Sequence, residues 1–457
     1  MNETLKTRTW SSHYLFILAS IGSAVGLSNI WKFTYLAGEN GGGAFVLVYI
    51  ASLVIMGVPI LAAEMMIGRR GGKGMVGSLE ELNRRDGLNP RWKTFGWVAM
   101  TTVFIVLSFY CVIAGWTVDY TVTSIAGKLN NLDGAGARTF YEELLASPFR
   151  MMLGQAVFVA ATTWIVARGV NAGVEQSVKW MMPLLFGILM ALVIYAMIAG
   201  EFKKGVAFLF SPDFSRITPE VILAAFGQAF FSLGIGVGVM LTYGAYMPKS
   251  SRLFSSAVVI AFSDGAASML AGLAIFPIVF KYGLSPAEGP GLIFMTLPVA
   301  FGQMPGSGYI GALFFLLLVF AALTSSISLL ESIISHLEEA WPGGRRRITI
   351  LSGIVLWVLG LLTVFSFNAL SGFTPLSMIP LFSGKTIFGI IDFTASNLVM
   401  PVCGILMAVI AGWLVPANVA KAELSIERPW VFTAWQWLVR IAAPLILTLI
   451  LLSQLNG

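Results

Sequence analysis

Apolar runs long enough to cross a lipid bilayer dominate this 457-residue sequence. A membrane-spanning helix needs about 20 mainly apolar residues. Its backbone groups must also be paired within the helix, because lipid offers no hydrogen bonds. With 57% apolar and only 11% charged residues, the chain fits the composition of a polytopic membrane protein. We predict an all-α fold of eleven transmembrane helices at approximately 13–37, 44–68, 94–124, 150–168, 176–199, 220–246, 254–282, 306–338, 346–366, 387–415 and 429–454.

The distribution of basic residues predicts the orientation of these spans. Most of the 28 Lys and Arg residues lie in the N-terminal segment and in alternate loops, and such loops usually face the cytoplasm. The prediction is a protein of the cell (inner or plasma) membrane with a cytoplasmic N-terminus and, for an odd number of spans, an outside C-terminus. The net charge of +6 is interpreted as this topology signal, so no nucleic-acid partner is expected. The oligomeric state is not indicated.

The first span has the wrong composition for an uninterrupted helix. Gly22, Gly26, Asn29 and Lys32 fall within it, and these residues weaken a helix at a depth where lipid demands paired backbone. Backbone that is unpaired at membrane depth must line protein or a polar cavity. Its free carbonyls can bind a cation, and its free amides can bind an anion such as a carboxylate. The alternative is close helix packing, which small residues also favour.

The sixth span carries a second interruption. Glycine occupies every second position from 234 to 238. This alternation also fits a strand, but a single strand among helices cannot pair its backbone in lipid. We therefore predict a non-helical linker between two half-helices. Interruptions in spans one and six indicate an inverted repeat of about 13–199 and about 220–415, with an extra span at about 429–454, in one transporter domain covering 1–457.

Three consecutive hydroxyl side chains in span eight, Thr324, Ser325 and Ser326, form a polar patch that could face an ion. Each hydroxyl could instead bond to a carbonyl of its own helix.

Two runs of the first span and the loop after it are specific motifs: Gly-Ser-Ala-Val-Gly-Leu-Ser-Asn-Ile-Trp-Lys-Phe from Gly22 and Glu-Asn-Gly-Gly-Gly-Ala-Phe from Glu39. With these motifs, and with the segments 59–68, 230–246 and 321–328, the sequence resembles the neurotransmitter:sodium symporter family. It implies two Na⁺ sites. One would use the carbonyls of Gly22, Val25 and Ala321 with the hydroxyls of Thr324 and Ser325. The other would use the Ala24 carbonyl, Asn29, Ser232, Ser263 in place of the family's usual Asn, and the substrate carboxylate.

The resemblance also implies the substrate class. Relatives that carry monoamines have Asp at position 26, so Gly26 implies a substrate with its own carboxylate, an α-amino acid. Tyr110 matches the tyrosine that bonds this carboxylate, although it could also be an ordinary core aromatic. The expected substrate pocket favours large aliphatic or aromatic side chains. Its residues are Ala24, Gly26, Val106, Tyr110, Phe231, Ser232, Gly234, Val237, Ser325, Ser328 and Leu329.

Charged residues within or beside the spans match the gates of the family. Lys32 and Asp392 would form an outer gate, and Glu64 would accept the free amides of span six. Trp10 and Glu339 would form an inner gate. The family's Arg near that gate is Thr7 here, with Arg8 or Lys6 as possible substitutes.

Three other ionisable residues in the spans are less clear. Asp264 could balance charge at the second sodium site, while Glu331 and Arg440 have no assigned role. The position where the family has an acid or a chloride-binding Ser aligns with Ala267, so chloride dependence stays open.

The predicted function is Na⁺-coupled symport of hydrophobic α-amino acids by alternating access. The alternatives are a carrier of the same fold for an amine or osmolyte, a proton-coupled carrier, and a polytopic membrane enzyme or receptor. No catalytic constellation is present in the sequence, so an enzyme is not expected. Cys111 and Cys403 both lie in predicted spans, so neither a disulfide framework nor a metal cluster is expected.

Overall fold

The computed structural model describes residues 9–289, 291–304, 306–341 and 344–456, and all regular secondary structure in these ranges is helical. Nine described helices are long and apolar enough to cross a membrane. They are Gly43–Gly71 (span 2), Trp92–Ile125 (span 3), Pro148–Ala167 (span 4), Val170–Ala199 (span 5), Leu253–Lys281 (span 7), Gly308–Ala340 (span 8), Arg345–Ser366 (span 9), Ile387–Leu414 (span 10) and Pro429–Leu455 (span 11).

Span 1 is the bent pair His13–Ala24 and Ser28–Glu39, which meet at 52°. Span 6 is a pair of shorter helices, Pro219–Ser232 and Val239–Ala245, at the position predicted for the sixth membrane crossing. The described connections carry the short helices Met75–Asp86, Gly134–Ala146, Phe202–Phe210, Leu292–Gly302 and Ala417–Leu424. The all-α polytopic fold and the two interrupted helices were thus correctly predicted.

Span 1 breaks where its sequence is rich in glycine. Val25 takes an extended conformation (φ −74°, ψ 97°) after donating the last helical hydrogen bond to Ile21. The Asn29 side-chain oxygen then accepts from the Gly26 amide at 2.9 Å, which pairs one of the amides freed by the break. A turn of π-helix, Ser28–Lys32, restarts the span. A side chain thus partly replaces the lost backbone pairing, as burial in an apolar environment requires.

Span 6 breaks at its alternating glycines. Gly234, Gly236 and Gly238 have φ values of +61°, +86° and +68°, a region that glycine enters without steric cost. The Gly236 amide donates to the Glu64 carboxylate of span 2 at 2.7 Å. The alternation therefore produces left-handed turns between two half-helices, not a strand.

The two breaks lie beside each other at the centre of the bundle. The Asn29 side-chain amide donates to the Ser232 hydroxyl at 3.0 Å, which joins span 1 to span 6. Span 8 closes a second side, where the Ser325 hydroxyl donates to the Ser23 carbonyl at 3.2 Å. The polar groups of spans 1, 6 and 8 consequently share one buried region.

One end of the bundle, here called the Trp10 end, is tightly packed. Trp10 is 3% exposed and donates to the Tyr243 and Tyr246 carbonyls, each at 3.1 Å. Tyr246 donates in turn to the buried Glu331, which also forms an ion pair with Arg345 at the start of span 9. These contacts tie the N-terminal segment to spans 6, 8 and 9.

Candidate functional site

A cavity of about 360 Å³ lies between the two helix breaks and reaches spans 3, 8 and 10. Most of the residues predicted to contact a substrate line it together: Ala24, Gly26, Val106, Tyr110, Phe231, Ser232, Gly234, Val237, Ser325 and Leu329. Its walls are mainly apolar; its polar groups form one set at the break in span 1 and a second set at Lys32 and span 10. This distribution suits a small molecule with one polar and one apolar end.

Ser328 does not line this cavity, so its predicted substrate contact is wrong for this structure. Its hydroxyl donates to the Thr324 carbonyl at 3.0 Å and is 2.8 Å from the Tyr243 hydroxyl. Ser328 is three positions beyond Ser325, but its side chain packs towards span 6 below the cavity.

The structure adds apolar wall residues that were not predicted: Phe109 and Ile113 of span 3 and Phe388 and Met400 of span 10. Phe109 and Ile113 continue the helical face of Val106 at steps of three and four residues, a periodicity that could have indicated them. Nothing in the sequence placed Phe388 and Met400 beside that face, because their position depends on how span 10 packs.

Gly26 is closely surrounded by polar groups. A Cβ atom at this position would lie 2.7 Å from the Ser325 hydroxyl and 3.5 Å from the Tyr110 hydroxyl. The Tyr110 oxygen is near the backbone of Leu27 and the hydroxyl of Ser325, but it makes no hydrogen bond of normal geometry within the described part of the chain. A hydroxyl and unpaired amides at a helix start can bind a carboxylate.

The first predicted ion set lies where span 1 packs against the hydroxyl patch of span 8. A Cβ atom on Gly22 would contact Thr324 at 3.4 Å, so this part of span 1 lies against the hydroxyl patch of span 8. Thr324 and Ser325 each donate to the Ala321 carbonyl, at 3.1 and 3.2 Å. The hydroxyls therefore do bond to their own helix, but their oxygens remain next to the break that contains Gly22 and Val25.

The second predicted ion set needs one correction. Asn29 and Ser232 meet as expected, but the residue of span 7 that joins them is Asp264, not Ser263. Asn29 donates to the Asp264 carboxylate at 2.6 Å, and Ser232 donates to it at 2.7 Å. Ser263 is partly exposed and lies on a neighbouring face of the helix.

Asp264 is fully buried and is held by hydroxyl and amide donors. The Tyr49 hydroxyl donates to it at 3.0 Å, and Ser268 lies in the same cluster, 3.3 Å from the Tyr49 hydroxyl. Ala267 was aligned with the family's acid or chloride-binding Ser, but the hydrogen-bonded residues of this cluster are Asp264 and Ser268. No Lys, Arg or His of the described residues forms an ion pair with Asp264. An uncompensated buried carboxylate is costly, and a cation beside it would remove that cost.

Lys32 and Asp392 both line the cavity on the side away from Trp10. The Lys32 ammonium lies 3.9 Å from the centre of the Phe231 ring, and the Asp392 carboxylate accepts from the Ser396 hydroxyl at 2.9 Å. No ion pair within 4.0 Å joins these two described residues, although Asp392 is the acidic group whose charge acts on Lys32. Both charged groups therefore belong to the lining of the cavity but are not joined by an ion pair.

The other predicted gate residues have defined partners. One Glu64 oxygen accepts the Gly236 amide, while the other has no hydrogen bond within the described ranges. Trp10 packs on Tyr243 at a centroid distance of 5.0 Å. Glu339 accepts the Gly74 amide at 2.6 Å, a contact that sequence reasoning missed. Thr7, Arg8 and Lys6 lie outside the described residues.

The structure also shows the partners of Glu331 and Arg440, for which the sequence predicted no role. Glu331 belongs to the cluster of Tyr246 and Arg345, and Arg440 donates to the Gly412 carbonyl at 2.5 Å. Both residues link helices and lie outside the lining of the cavity.

A helical membrane bundle with two broken helices around a central cavity is the architecture of many membrane transporters. Comparison with known proteins gives the family: residues 7–135 and 147–456 match the sodium:neurotransmitter symporter family, and the chain belongs to it. The chain is 37% identical over 458 residues to an uncharacterised sodium-dependent transporter of Bacillus subtilis, covering 98% of this chain and 97% of that one.

A further relative and a solved structure agree with this family assignment. An uncharacterised sodium-dependent transporter of Methanocaldococcus jannaschii is 30% identical, with 97% of this chain and 89% of that one covered. The crystal structure of MhsT in complex with L-phenylalanine is similar with a TM-score of 0.87 and 42% identity, covering 98% of this chain and 99% of that one. The chain is therefore a multi-pass membrane protein of a family of sodium-dependent transporters.

Proposed function

We propose that this protein is a Na⁺-coupled symporter of hydrophobic α-amino acids, including aromatic ones, that works by alternating access. The observation that carries the proposal is the arrangement at Gly26, where the Tyr110 and Ser325 hydroxyls converge on a position without a side chain. A substrate carboxylate fits there, and its apolar side chain extends between Val106, Phe231 and Leu329. The similarity to a protein that binds L-phenylalanine supports this substrate class.

Two sodium ions are proposed to accompany the substrate. One is held by the carbonyls of Gly22, Val25 and Ala321 with the hydroxyls of Thr324 and Ser325. The other is held by the Ala24 carbonyl, Asn29, Ser232 and Asp264, with the substrate carboxylate completing its ligands. All these donors are oxygens, which hard cations prefer. The shared carboxylate couples the binding of ion and substrate.

Chloride is proposed to be unnecessary. Asp264 supplies a fixed negative charge within 3.0 Å of Tyr49, Ser232 and Asn29. A chloride ion in the same cluster would place two negative charges together in a dry site, which is strongly unfavourable.

The two halves of the chain are proposed to form an inverted repeat, with spans 1–5 opposite spans 6–10, span 11 outside the repeat and the N-terminus in the cytoplasm. The interruptions at Val25 and at Gly234–Gly238 support this arrangement, since they occur in the first span of each half. The Trp10 end would then face the cytoplasm, and the open side lined by Lys32 and Asp392 would face outwards.

The test is uptake of radiolabelled phenylalanine, leucine and a monoamine into proteoliposomes containing the full chain. Replacing external Na⁺ by choline at constant pH should abolish uptake and binding of the amino acids, because choline cannot take the place of Na⁺ at either proposed site. The monoamine should not be carried. Undiminished amino-acid binding without Na⁺, or uptake driven by a pH gradient alone, would overturn the assignment.

A further inference from the structure

A second cavity, separate from the transport site, opens on the lipid-facing side of spans 3, 8 and 9 at the Trp10 end. Its volume is about 510 Å³. Span 8 forms its floor with Ile333, Leu337 and Trp341, which follow one another at intervals of four residues. At 1.5 Å per residue this row is about 12 Å long, close to the roughly 15 Å thickness of hydrocarbon in one leaflet. We call this cavity the leaflet groove.

The side walls of the leaflet groove are mainly apolar, with Thr101 and Ser352 as their polar residues. Met100 and Phe104 of span 3 form one wall, and Leu351 and Val355 of span 9 form the other. Leu351 and Val355 are 55% and 47% exposed. The groove is therefore open along the side that meets the acyl chains of the bilayer.

Amphipathic and basic side chains mark the end of the groove nearest the Trp10 end. Trp97 and Trp341 are 46% and 63% exposed, and tryptophan is enriched at the level of lipid headgroups. Trp97 packs edge-on against His336 at 4.9 Å, which fixes its ring between spans 3 and 8. The groove thus ends at the membrane interface.

Two cations lie just beyond these tryptophans. Lys93 precedes Met100 by seven residues on the same face of span 3, and its side chain is 55% exposed. Arg347 is exposed one turn before Leu351 on span 9. Side chains on a helix lean towards its N-terminus, and both spans start at this end, so both cations reach towards the headgroups. Arg347 has no ion pair within 4.0 Å among the described residues, and Lys93 has only a contact at 4.0 Å with Glu80.

We propose that the leaflet groove binds one anionic glycerophospholipid, with an acyl chain along the row from Ile333 to Trp341 and its phosphate between Lys93 and Arg347. The argument for this occupant is the combination of a mainly apolar channel about one leaflet long with two exposed cations at its headgroup end, of which Arg347 has no ion pair among the described residues and Lys93 has only a long one to Glu80. Each basic residue near the surface strengthens binding of an anionic lipid by roughly fivefold. This site is independent of the substrate assignment, because lipid binding is read without transport.

The test uses phosphatidylglycerol with a photoactivatable group in its acyl chain, incorporated into phosphatidylcholine vesicles with the full-length protein. After irradiation, peptide mass spectrometry locates the label. The expected result is enrichment in the segments 100–104, 333–341 and 351–355. A phosphatidylcholine probe with the same photoactivatable group should label them several-fold less.

Two pairs of variants separate charge from shape. Lys93→Gln with Arg347→Gln should lower phosphatidylglycerol labelling of the groove by more than fivefold. Arg346→Gln with Lys179→Gln, which removes two exposed charges outside the proposed phosphate site, should leave it unchanged. Thr101→Trp, which fills the groove, should also lower labelling, whereas Val122→Trp, which adds the same bulk at an exposed position near the other end of span 3, should not. A size-exclusion profile in detergent that matches that of the wild type shows that each variant is folded.

Three results would overturn the proposal. Equal labelling by the two lipids would mean that the groove selects no headgroup. Labelling spread evenly over the lipid-facing helices would mean that it holds no particular lipid. Groove peptides shielded from both probes, together with chemically cross-linked dimers through this face, would assign the groove to a second copy of the chain.

Discussion

Gly26 shows how a single missing side chain can define a substrate class. Two hydroxyls lie within 3.5 Å of where a Cβ would be, so this space is polar and a side chain at position 26 would have to displace the Ser325 hydroxyl. Transporters that carry an acid in such a place supply a charge that their substrate lacks. Here the substrate is proposed to supply that charge itself.

Gly26→Ala should therefore weaken Na⁺-dependent binding of phenylalanine at least tenfold, because the new Cβ would lie 2.7 Å from the Ser325 hydroxyl. Overpacking of this kind typically costs about 1–3 kcal/mol. Gly26→Asp should abolish transport, since a second carboxylate would repel that of the substrate. Scintillation proximity binding measures the first effect, and uptake into proteoliposomes measures the second. The control is Gly187→Ala, where the added Cβ would have no neighbouring atom within 4 Å. Wild-type affinity in Gly26→Ala would show that Gly26 does not face the substrate.

Asp264 is a residue whose chemistry was underestimated at the level of sequence. Its carboxylate accepts from Asn29, Ser232 and Tyr49, so three helices are held by one charge. The structure leaves that charge without a basic partner among the described residues, which makes it available to a cation.

Asp264→Asn should make transport depend on chloride, since the variant loses the fixed negative charge beside the proposed sodium ion. Wild-type uptake should be the same in chloride and in gluconate media. The variant should be inactive in gluconate and regain part of its uptake in chloride. Asp213→Asn, at an exposed acid, should behave as wild type. An Asp264→Asn protein that is equally active in both media would exclude the proposed role.

At the scale of the helix, the interruption of span 6 depends on one side chain from span 2. Three glycines in left-handed conformations allow the turns, but a buried linker also needs partners for its amides. Glu64 is fully buried and accepts the amide of Gly236. The apolar span 2 therefore carries a glutamate because the broken backbone of span 6 needs a hydrogen-bond acceptor.

Glu64→Ala should destabilise the protein by about 1–3 kcal/mol, the usual cost of leaving a buried donor unpaired. Glu64→Gln keeps an acceptor oxygen and should lose much less. Thermal unfolding in detergent, followed by tryptophan fluorescence, compares the two variants with Glu288→Ala, a change at an exposed residue. If the Ala and Gln variants unfold at the same temperature, the bond to Gly236 does not hold the linker.

At the scale of the whole molecule, the two ends of the bundle differ. The Trp10 end is closed by hydrogen bonds to Tyr243 and Tyr246, while Lys32 and Asp392 line an open cavity at the other side without an ion pair. In alternating access, the Trp10 end would have to open while the side lined by Lys32 and Asp392 closes. The separation of Lys32 and Asp392 thus fits a gate that is open in this structure.

Lys32→Ala and Asp392→Ala should each lower the rate of transport far more than the affinity for substrate, because removal of one partner leaves a charge that becomes buried on closure. The double variant strands no charge, so the two losses should not multiply. Initial uptake rates of both single variants and the double variant give the coupling. Lys385→Ala, which removes a nearby cation that lies over Phe393 at 4.8 Å, should not couple to Asp392→Ala. Independent losses for Lys32 and Asp392 would mean that they do not act as a gate pair.

Much of the proposed site was predictable because its parts are local. Gly26 and Asn29 lie in the same interrupted segment, and Thr324 with Ser325 forms one polar patch in an apolar helix. Such segments can be recognised in the sequence, because glycine-rich backbone and clustered hydroxyls are unfavourable in contact with lipid and therefore indicate a polar site inside the protein. Residues whose role depends on the packing of a distant helix, such as Phe388 and Met400, carried no such signal.

The sequence by itself determined the kind of elements and where two of them are interrupted, since hydropathy decides which segments can enter lipid and glycine decides where their backbone can break. The tertiary structure decided which side chains of intact helices face the site. Neighbouring residues on a helix point about 100° apart, so the assignment of Ser263 instead of Asp264, or of Ala267 instead of Ser268, turns a side chain away from the centre. Only the packing of span 7 against spans 1 and 6 fixes that rotation, because every face of this apolar helix could be buried equally well.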